Sequence, residues 1–147
     1  MNLVVHTDGG ARGNPGPAAV GVVIEDAVVG KQTTGRVIAE FGKRIGETTN
    51  NVAEYSAVVE ALQYLVSHRP QTSGDGTALT VDFYLDSTLV VHQLNGLFKV
   101  KEPHLRELLF TVRQTEQELG GVIRYHVVRR EYNRRADFFV NQALDRE

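Results

Sequence analysis

The sequence predicts an α/β fold built on one mixed sheet of five strands that is flanked by helices. Three strand-like segments follow one another at the start of the chain, and two more alternate with helical segments after it. The hydrophobic period also changes from two to about 3.6 near residue 51. Consecutive strands with short connections pair antiparallel, whereas strands separated by a helix pair in parallel. We therefore expect three antiparallel strands and then two parallel ones.

The first three segments have the pattern of strands. Residues 2–8 alternate, with Leu3, Val5 and Thr7 on one side, and this strand is expected to end at the glycine-rich turn that follows Asp8. Residues 18–26 and 33–45 are rich in β-branched residues and are separated by polar connections that contain glycine. These segments predict an antiparallel meander.

The middle of the chain alternates between helix and strand. Apolar residues recur at helical spacing from Asn51 to Val66, and the polar segment 68–76 is expected to form the loop that ends this helix. Residues 78–86 alternate again, so Asp86 is expected at the C-terminal end of a fourth strand.

Capping residues mark the remaining elements. Ser87 is expected to cap a helix over 88–95, and Pro103 to begin a helix that continues to Leu119. A last strand over 122–128 follows. Asn133 is then expected to cap a short amphipathic helix that ends near Leu144.

The composition indicates a soluble globular protein of one domain. The chain has 147 residues, of which 41% are hydrophobic and 23% are charged. No apolar run approaches the roughly 20 residues that cross a bilayer, and the first residues do not resemble a signal peptide. Cysteine is absent from the sequence. A cytoplasmic protein without a membrane partner is the expectation.

The net charge of −2 argues weakly against a nucleic-acid partner, because lysine and arginine supply most of the affinity for phosphates. The distribution of charge matters more than its sum. Four arginines, Arg129, Arg130, Arg134 and Arg135, form the strongest basic cluster, and they lie close in sequence to Asp137. This cluster fits either a solvated helix start or a place that receives a substrate phosphate.

Four carboxylates are expected to converge on one rim of the sheet. Asp8 and Asp86 lie at strand ends, Glu54 lies in the first turn of the helix after residue 51, and Asp137 lies in the first turn of the last helix. Taken singly, each fits a solvated surface group. Together they would repel one another unless cations neutralised them, and Mg²⁺ is the hard ion that suits carboxylates. Two such ions about 3.5–4 Å apart can align the attacking water and the leaving oxygen of a phosphodiester.

These residues resemble the type 1 ribonuclease H family. The resemblance rests on residues 7–24, 48–62, 84–96 and 127–144, which occur in the family's order and cover nearly the whole chain. It implies a ribonuclease H-like fold and a single ribonuclease H domain over 1–147. The implied activity is endonucleolytic cleavage of the RNA strand of an RNA·DNA hybrid, which leaves 3′-hydroxyl and 5′-phosphate ends.

The resemblance also implies the site residues. Asp8, Glu54, Asp86 and Asp137 fall on the family's metal-binding carboxylates, which implies two Mg²⁺ ions with substrate bound and Mn²⁺ as an alternative cofactor. The positions expected to contact the hybrid are Gly9, Gly10, Asn14, Thr49, Asn50 and Asn51.

Each of these substrate contacts has a physical basis and a structural alternative. The amides of the three asparagines can donate to and accept from 2′-hydroxyls and base edges in the minor groove. The structural alternative for Asn14 is a turn, and for Asn50 and Asn51 it is a helix cap. Thr49 falls where the family grips a phosphate of the DNA strand, and its alternative is an exposed hydroxyl at a strand end. Gly9 and Gly10 are expected to adopt turn conformations that a side chain resists and to let the backbone approach the substrate.

The sequence departs from many family members at two places. Arg130 stands in the loop where those members have a histidine, as in a branch found in archaea and some bacteria, and it is expected either to bind a phosphate near the leaving group or to be solvated. The basic, tryptophan-bearing protrusion of some members is absent. Lys99 and Lys101 could replace it in part together with Phe98, although Phe98 is expected to pack between helices.

Two other functions remain open. A transposase or integrase core uses the same fold, although a chain this short favours it less. A module that binds hybrid or double-stranded RNA without catalysis is the second, but a pure binder has no use for clustered negative charge near phosphates. No histidine pair has metal-ligand spacing, so zinc is not expected. The expected partner is the hybrid alone, bound by a monomer without an obligatory protein partner.

Overall fold

The computed structural model describes residues 1–27, 35–69 and 79–146. Within them the elements are β1 (Asn2–Ala11), β2 (Gly16–Asp26), β3 (Arg36–Thr48), α1 (Asn50–Ser67), β4 (Thr80–Leu85), α2 (Thr88–Leu94), α3 (Pro103–Leu119), β5 (Val122–Val127), a 3-10 turn (Arg130–Tyr132) and α4 (Arg134–Asp145). Parts of the predicted third and fourth strands and most of the predicted loop, namely residues 33–34, 70–76 and 78, lie outside the described residues.

The sheet has the predicted topology. Its strand order is β3-β2-β1-β4-β5, with β2 antiparallel to both β1 and β3, and with β4 parallel to both β1 and β5. The short connections of the first three strands and the helices between the later ones account for the two pairing modes. The mixed five-stranded sheet expected from the sequence is confirmed.

Helices cover the sheet from two sides. Leu3, Val5 and Thr7 of β1 are fully buried, as the alternation predicted. On the face of the sheet to which these residues point, the core contains residues of α1, α2 and α3 and of β1, β2, β4 and β5. On the other face, α4 packs against β1, β2 and β3. Among the described residues, no helix is long and apolar enough to span a bilayer.

Two predicted helix starts are confirmed in detail. The Ser87 hydroxyl accepts a hydrogen bond from the Val90 amide at 3.3 Å and so caps α2. Pro103 occupies the first turn of α3, where its missing amide hydrogen costs nothing.

The first strand is longer than predicted. It was expected to end at Asp8, but its pairing with β2 continues to Ala11, which lies opposite Ala18. Its parallel pairing with β4 stops earlier, at His6. Asp8 therefore lies inside β1 but beyond the end of the neighbouring strand, because hydrogen bonds to β2 hold the glycines in extended conformation.

Candidate active site

Three carboxylates from different elements converge at the edge where β4 ends. Oxygen atoms of Asp8, Glu54 and Asp86 all lie within 4.8 Å of one another. Asp8 comes from the part of β1 that extends past β4, Asp86 directly follows β4, and Glu54 comes from α1. Parallel pairing of β1 and β4 brings the two aspartates together, and the packing of α1 against β1 adds the glutamate.

Glu54 lies in the second turn of its helix and not in the first turn as predicted. The helix begins at Asn50, with Thr49 as the N-cap, so its first turn contains no acidic residue. The sequence period placed the helix start too late, because Asn50 is polar and lies on the exposed side. Glu54 is only 7% exposed and faces the sheet.

Burial and mutual repulsion favour the protonated forms of two of these groups. Burial, then the charge of Asp86, raises the pKa of Asp8 to about 7. Burial, then the negative charge of Asp8, raises the pKa of Glu54 well above its ordinary value. One carboxylate oxygen of Glu54 is buried and has no hydrogen-bond partner among the described residues. Clustered oxygen ligands with an unpartnered buried oxygen fit a hard divalent cation.

Asp137 lies next to the cluster of Asp8, Glu54 and Asp86 but is not part of it. It occupies the first turn of α4, as predicted. Its carboxylate contributes to the raised pKa of Asp8, so the two side chains are neighbours. Asn141, one turn further along α4, donates a hydrogen bond from Nδ2 to Asp137 Oδ2 at 3.4 Å. The arrangement is three close carboxylates with a fourth at their side.

An open cavity of about 430 Å³ exposes the four carboxylates to solvent. Arg130 is exposed on the 3-10 turn and also lines this cavity. The other lining residues are Gly9, Gly10, Ala11, Arg12, Asn50, Asn51, Ser87, Val140, Asn141 and Leu144. Arg12 and Asn141 were not selected from the sequence, because neither belongs to a recognisable spacing. The Arg12 guanidinium is paired with the Asp145 carboxylate at 2.7 Å.

Gly9 and Gly10 lie in extended backbone and not in the turn conformations that the sequence predicted. Neither has a positive φ, whereas Gly13 in the following turn has φ 101°. A Cβ on Gly9 would lie 2.2 Å from the carbonyl carbon and oxygen of Ala53, so this glycine lets β1 touch the backbone of α1. A Cβ on Gly10 would meet nothing nearer than Val140 Cγ1 at 3.6 Å.

The asparagines predicted to contact substrate also join the β1–β2 turn to α1. The Asn14 side-chain oxygen accepts from the Asn50 amide at 2.9 Å, and the Asn50 side-chain oxygen accepts from the Ala11 amide at 2.9 Å. The Thr49 hydroxyl accepts from the Val52 amide at 3.2 Å, so Thr49 is a helix cap rather than only an exposed hydroxyl. Asn51 is exposed at the mouth of the cavity.

Asn133 is buried beside the site, whereas the sequence predicted only that its side chain caps α4. It occupies the N-cap position of α4, but its side chain makes no capping hydrogen bond. Its Nδ2 instead donates to the Thr7 carbonyl at 2.9 Å and to Asp86 Oδ2 at 3.4 Å. The prediction of a capping side chain was wrong, because Thr7 and Asp86 are distant in sequence and no local pattern reports them.

The link between α2 and α3 also differs from expectation. Phe98 was expected to pack between helices, but it is 52% exposed and meets His92 edge-on, with ring centroids 5.0 Å apart. Lys99 and Lys101 are exposed. At this exposure Phe98 is not packed between helices, so that prediction was wrong.

Sequence comparison relates the chain to known proteins. The family described as reverse transcriptase-like matches residues 6–143. Ribonuclease HI of Halobacterium salinarum is 37% identical over 140 residues, which are 95% of this chain and 63% of that protein. Bifunctional protein Rv2228c of Mycobacterium tuberculosis is 37% identical over 99% of this chain. The chain spans 36% of the length of that mycobacterial relative.

Solved structures agree with the sequence comparison. LC11-RNase H1 in complex with an RNA/DNA hybrid has a TM-score of 0.84 and 40% identity, covering 97% of this chain and 96% of that one. The N-terminal RNase H domain of the M. tuberculosis protein has a TM-score of 0.82 and 36% identity, covering 99% of this chain and 100% of that one. At this similarity over nearly the whole length, the chain belongs to the type 1 ribonuclease H family, a family of enzymes, as its motifs predicted.

Proposed function

We propose that this protein is a metal-dependent endoribonuclease that hydrolyses the RNA strand of RNA·DNA hybrids and leaves 3′-hydroxyl and 5′-phosphate ends. The observation that carries the proposal is the convergence of Asp8, Glu54 and Asp86 within 4.8 Å at the floor of an open cavity. A related enzyme of the family, LC11-RNase H1, forms a complex with an RNA/DNA hybrid. This relative supports the proposed substrate class.

Asp8, Glu54 and Asp86 would hold the metal, with Asp137 as a fourth ligand. We propose Mg²⁺ as the cofactor, two ions being bound together with substrate, and Mn²⁺ as a substitute. When bound, the ions would supply Lewis acidity to the scissile phosphodiester and a more acidic attacking water. The chain's own contribution is to hold the carboxylates close together on rigid elements, and Asn133 restrains Asp86 by its hydrogen bond.

The asparagines and the threonine are proposed to contact the hybrid beside the cavity. The side-chain oxygens of Asn14 and Asn50 already accept hydrogen bonds from backbone amides. Each side chain therefore presents its amide nitrogen, which can donate to a 2′-hydroxyl or a base edge. The Thr49 hydroxyl accepts from Val52 and can still donate its proton to a phosphate. Gly9 and Gly10 line the cavity and are proposed to let the backbone approach the substrate.

Arg130 is proposed to take the place that a histidine has in many family members. It is exposed and lines the cavity that contains the carboxylates. A guanidinium stays protonated, so it cannot act as a general base, but it can bind a phosphate oxygen near the leaving group. On this proposal the chain resembles the branch of archaea and some bacteria.

Domain extent, oligomeric state and cellular location stay predictions. A single ribonuclease H domain over residues 1–147 is proposed to act as a cytoplasmic monomer without an obligatory protein partner. The molar mass of the purified chain, measured by light scattering, tests whether the protein is a monomer. The mass of a dimer at all tested concentrations would contradict this proposal.

The proposed activity is tested with an end-labelled hybrid. Matched single-stranded RNA, double-stranded RNA and DNA duplex are compared with it in Mg²⁺, Mn²⁺ or chelator. The expected result is metal-dependent cutting confined to the RNA of the hybrid. Asp8→Asn is expected to abolish cutting and keep hybrid binding, and the exposed Glu118→Gln serves as the control for loss of one charge.

Two results would contradict the proposal. An Asp8→Asn variant that cuts at the wild-type rate would show that the carboxylate cluster is not the catalytic site. A wild-type protein that binds the hybrid but cuts nothing in any metal would instead favour the non-catalytic binding module.

A further inference from the structure

A buried hydrogen bond joins the helix that carries Glu54 to the helix that follows Asp86. The Tyr55 hydroxyl of α1 donates to Gln93 Oε1 of α2 at 2.7 Å. Tyr55 is fully buried, and Gln93 is 8% exposed. Tyr55 directly follows Glu54, and α2 begins two residues after Asp86. The hydrogen bond therefore connects the supports of two carboxylates that come from different parts of the chain.

Two of the three distances within the carboxylate cluster are set by backbone contacts. Parallel pairing of β1 with β4 sets the position of Asp8 relative to Asp86. The close approach of Gly9 to Ala53 sets the position of β1 relative to α1, which carries Glu54. Two fixed distances leave the angle between them free, so the distance from Glu54 to Asp86 needs a constraint between α1 and α2.

The Tyr55–Gln93 hydrogen bond supplies this constraint. α1 contacts α2 much less than it contacts β1 or α3. Within residues 50–67 and 88–94, no other hydrogen bond joins the two helices. Val90 and Leu94 of α2 belong to the same apolar core as Tyr55. Apolar contacts are not directional, whereas a hydrogen bond requires a defined distance and angle, so this bond selects one rotation of α1 against α2.

Stability alone does not account for this polar pair. A buried polar group that loses its partner is costly, but replacing both partners by apolar groups of the same shape is nearly neutral. Phenylalanine at residue 55 with an apolar residue at 93 would fill the same space and leave no polar atom to satisfy. A fully satisfied buried polar pair adds rigidity and a unique arrangement to the core, which an apolar pair does not.

We propose that Tyr55 and Gln93 are positioning residues for metal binding, because their hydrogen bond holds α1 and α2 at the spacing that brings Glu54 and Asp86 to one cation. The inference rests on the proposed function, since the cation is the one that these carboxylates are proposed to hold. Neither Tyr55 nor Gln93 lines the cavity that contains the carboxylates. Each acts through the helix that carries it.

The test separates positioning from stability. Tyr55→Phe leaves the Gln93 oxygen buried without its donor, and the further change Gln93→Met replaces that oxygen by an apolar chain of similar volume. Tyr125→Phe is the matched control, because it also removes a buried hydroxyl, which donates to Glu116 Oε2 at 2.6 Å and joins β5 to α3. The melting temperature in chelator measures stability.

Metal affinity is measured in two ways. Calorimetric titration with Mn²⁺ reports binding without the hybrid, and the metal concentration that gives half the maximal rate of hybrid cleavage reports binding with it. Tyr55→Phe and the double variant Tyr55→Phe/Gln93→Met are expected to bind metal roughly tenfold more weakly than the wild type, the usual cost of losing a group that orients a metal ligand. Tyr125→Phe is expected to keep the wild-type affinity.

Stability is expected to follow a different order. In chelator, Tyr55→Phe and Tyr125→Phe should both melt below the wild type, whereas Tyr55→Phe/Gln93→Met should melt within about 3 °C of it. A double variant that regains metal affinity together with stability would overturn the inference, because the hydrogen bond would then act through stability alone. An equal loss of metal affinity in Tyr125→Phe would also overturn it.

The same measurements distinguish this inference from the proposed function. A wild-type protein that binds metal and cuts the hybrid leaves the proposed function standing, even where the variants that lack the Tyr55 hydroxyl bind metal normally and so overturn the inference. A wild-type protein that neither binds metal nor cuts the hybrid would overturn the proposed function, and this inference with it.

Discussion

Gly9 is a single residue on which the geometry of the candidate site depends. The absence of a side chain at this position lets β1 lie against the Ala53 carbonyl, one residue before Glu54. The distance between the Asp8 and Glu54 carboxylates is thereby set by a contact between two backbones. Gly10, the next residue, has room for a Cβ, which would contact Val140 Cγ1 at 3.6 Å, and so provides a matched comparison.

We expect Gly9→Ala to lower the free energy of unfolding by roughly 2–3 kcal/mol, because the new methyl group would overlap the α1 backbone. It should also reduce hybrid cleavage, since α1 must shift and carry Glu54 with it. Gly10→Ala should change stability by less than about 0.5 kcal/mol. Urea unfolding of the two variants measures the difference, and equal stability would contradict the backbone contact.

The raised pKa of Asp8 predicts how the stability of the metal-free protein depends on pH. Because its pKa rises from 3.8 to about 7 on folding, the folded protein keeps a proton that the unfolded chain has lost between those values. Unfolding then releases a proton, so the free energy of unfolding falls as pH rises through this window.

Asp8→Asn should remove the part of that pH dependence that Asp8 contributes, while Glu54, whose pKa is also raised by burial, contributes its own part. In chelator at pH 8 we expect this variant to be more stable than the wild type by on the order of 4 kcal/mol, and the difference should be much smaller at pH 4. Urea unfolding at several pH values measures both quantities. Wild-type and variant curves that run parallel from pH 4 to pH 8 would show that Asp8 has an ordinary pKa.

Metal addition should reverse the loss of stability that the metal-free wild type shows at high pH. A cation that binds only the folded state stabilises it by mass action, so about 5 mM Mg²⁺ at pH 8 should raise the melting temperature of the wild type. The Asp8→Asn variant should respond much less, and Glu118→Gln should respond like the wild type. Thermal unfolding with and without chelator provides this readout without reference to activity. A shift of equal size in Asp8→Asn would exclude Asp8 as a ligand.

At the scale of one element, the start of α1 combines a structural and a proposed binding role. Thr49 caps the helix, while Asn50 ties it to β1 through the Ala11 amide. Both side chains lie within two residues of the cavity mouth at Asn51. A substitution here changes helix stability as well as any contact with substrate, so the two effects need separate measurements.

We expect Thr49→Ala to lower the free energy of unfolding by about 1 kcal/mol, because the Val52 amide loses its capping partner. Thr49→Ser should retain most of the stability, since serine provides the same hydroxyl. Chemical denaturation of both variants tests this expectation. A serine variant as unstable as the alanine variant would mean that the hydroxyl does not stabilise the helix.

At the scale of the whole molecule, the net charge is −2, but two arginines line the cavity that is proposed to receive a polyanion. Arg130 approaches the cavity from the segment between β5 and α4, and Arg12 approaches it from the β1–β2 turn. Arg12 is paired with Asp145, which leaves Arg130 as the stronger candidate for a phosphate. These two arginines are more than 100 residues apart in sequence.

Hybrid binding should weaken as monovalent salt is raised, because phosphate contacts release counterions. Arg130→Ala should reduce the slope of log affinity against log salt by about 0.9, the value for one lost phosphate contact. It should also slow turnover. Arg36→Ala, at the opposite end of the sheet, should leave the slope unchanged. A salt titration in the Asp8→Asn background decides between these outcomes, and an unaltered slope for Arg130→Ala would remove its phosphate role.

Much of this architecture could be predicted from the sequence. The alternation in residues 2–8 and 78–86 and the helical period after residue 51 are local patterns, and they identified the elements and the sheet topology correctly. Parallel pairing of β1, which carries Asp8, with β4, which ends just before Asp86, follows from the crossover through α1. The meeting of these two aspartates at one edge was therefore predictable before any contact was known.

The remaining features depended on contacts between elements that are far apart in the chain. Pairing with β2 extends β1 beyond Asp8. Residue 9 must be a glycine because the α1 backbone lies against it. The Asn133 side chain binds the Thr7 carbonyl and therefore does not cap α4. The sequence by itself determined the order of the elements and indicated the residues that are proposed to carry the chemistry, because periodicity and motif spacing are local. Only the tertiary structure decided how deep Glu54 lies, what Gly9 and Asn133 do, and that Tyr55 meets Gln93 between α1 and α2, because those properties arise from packing between distant segments.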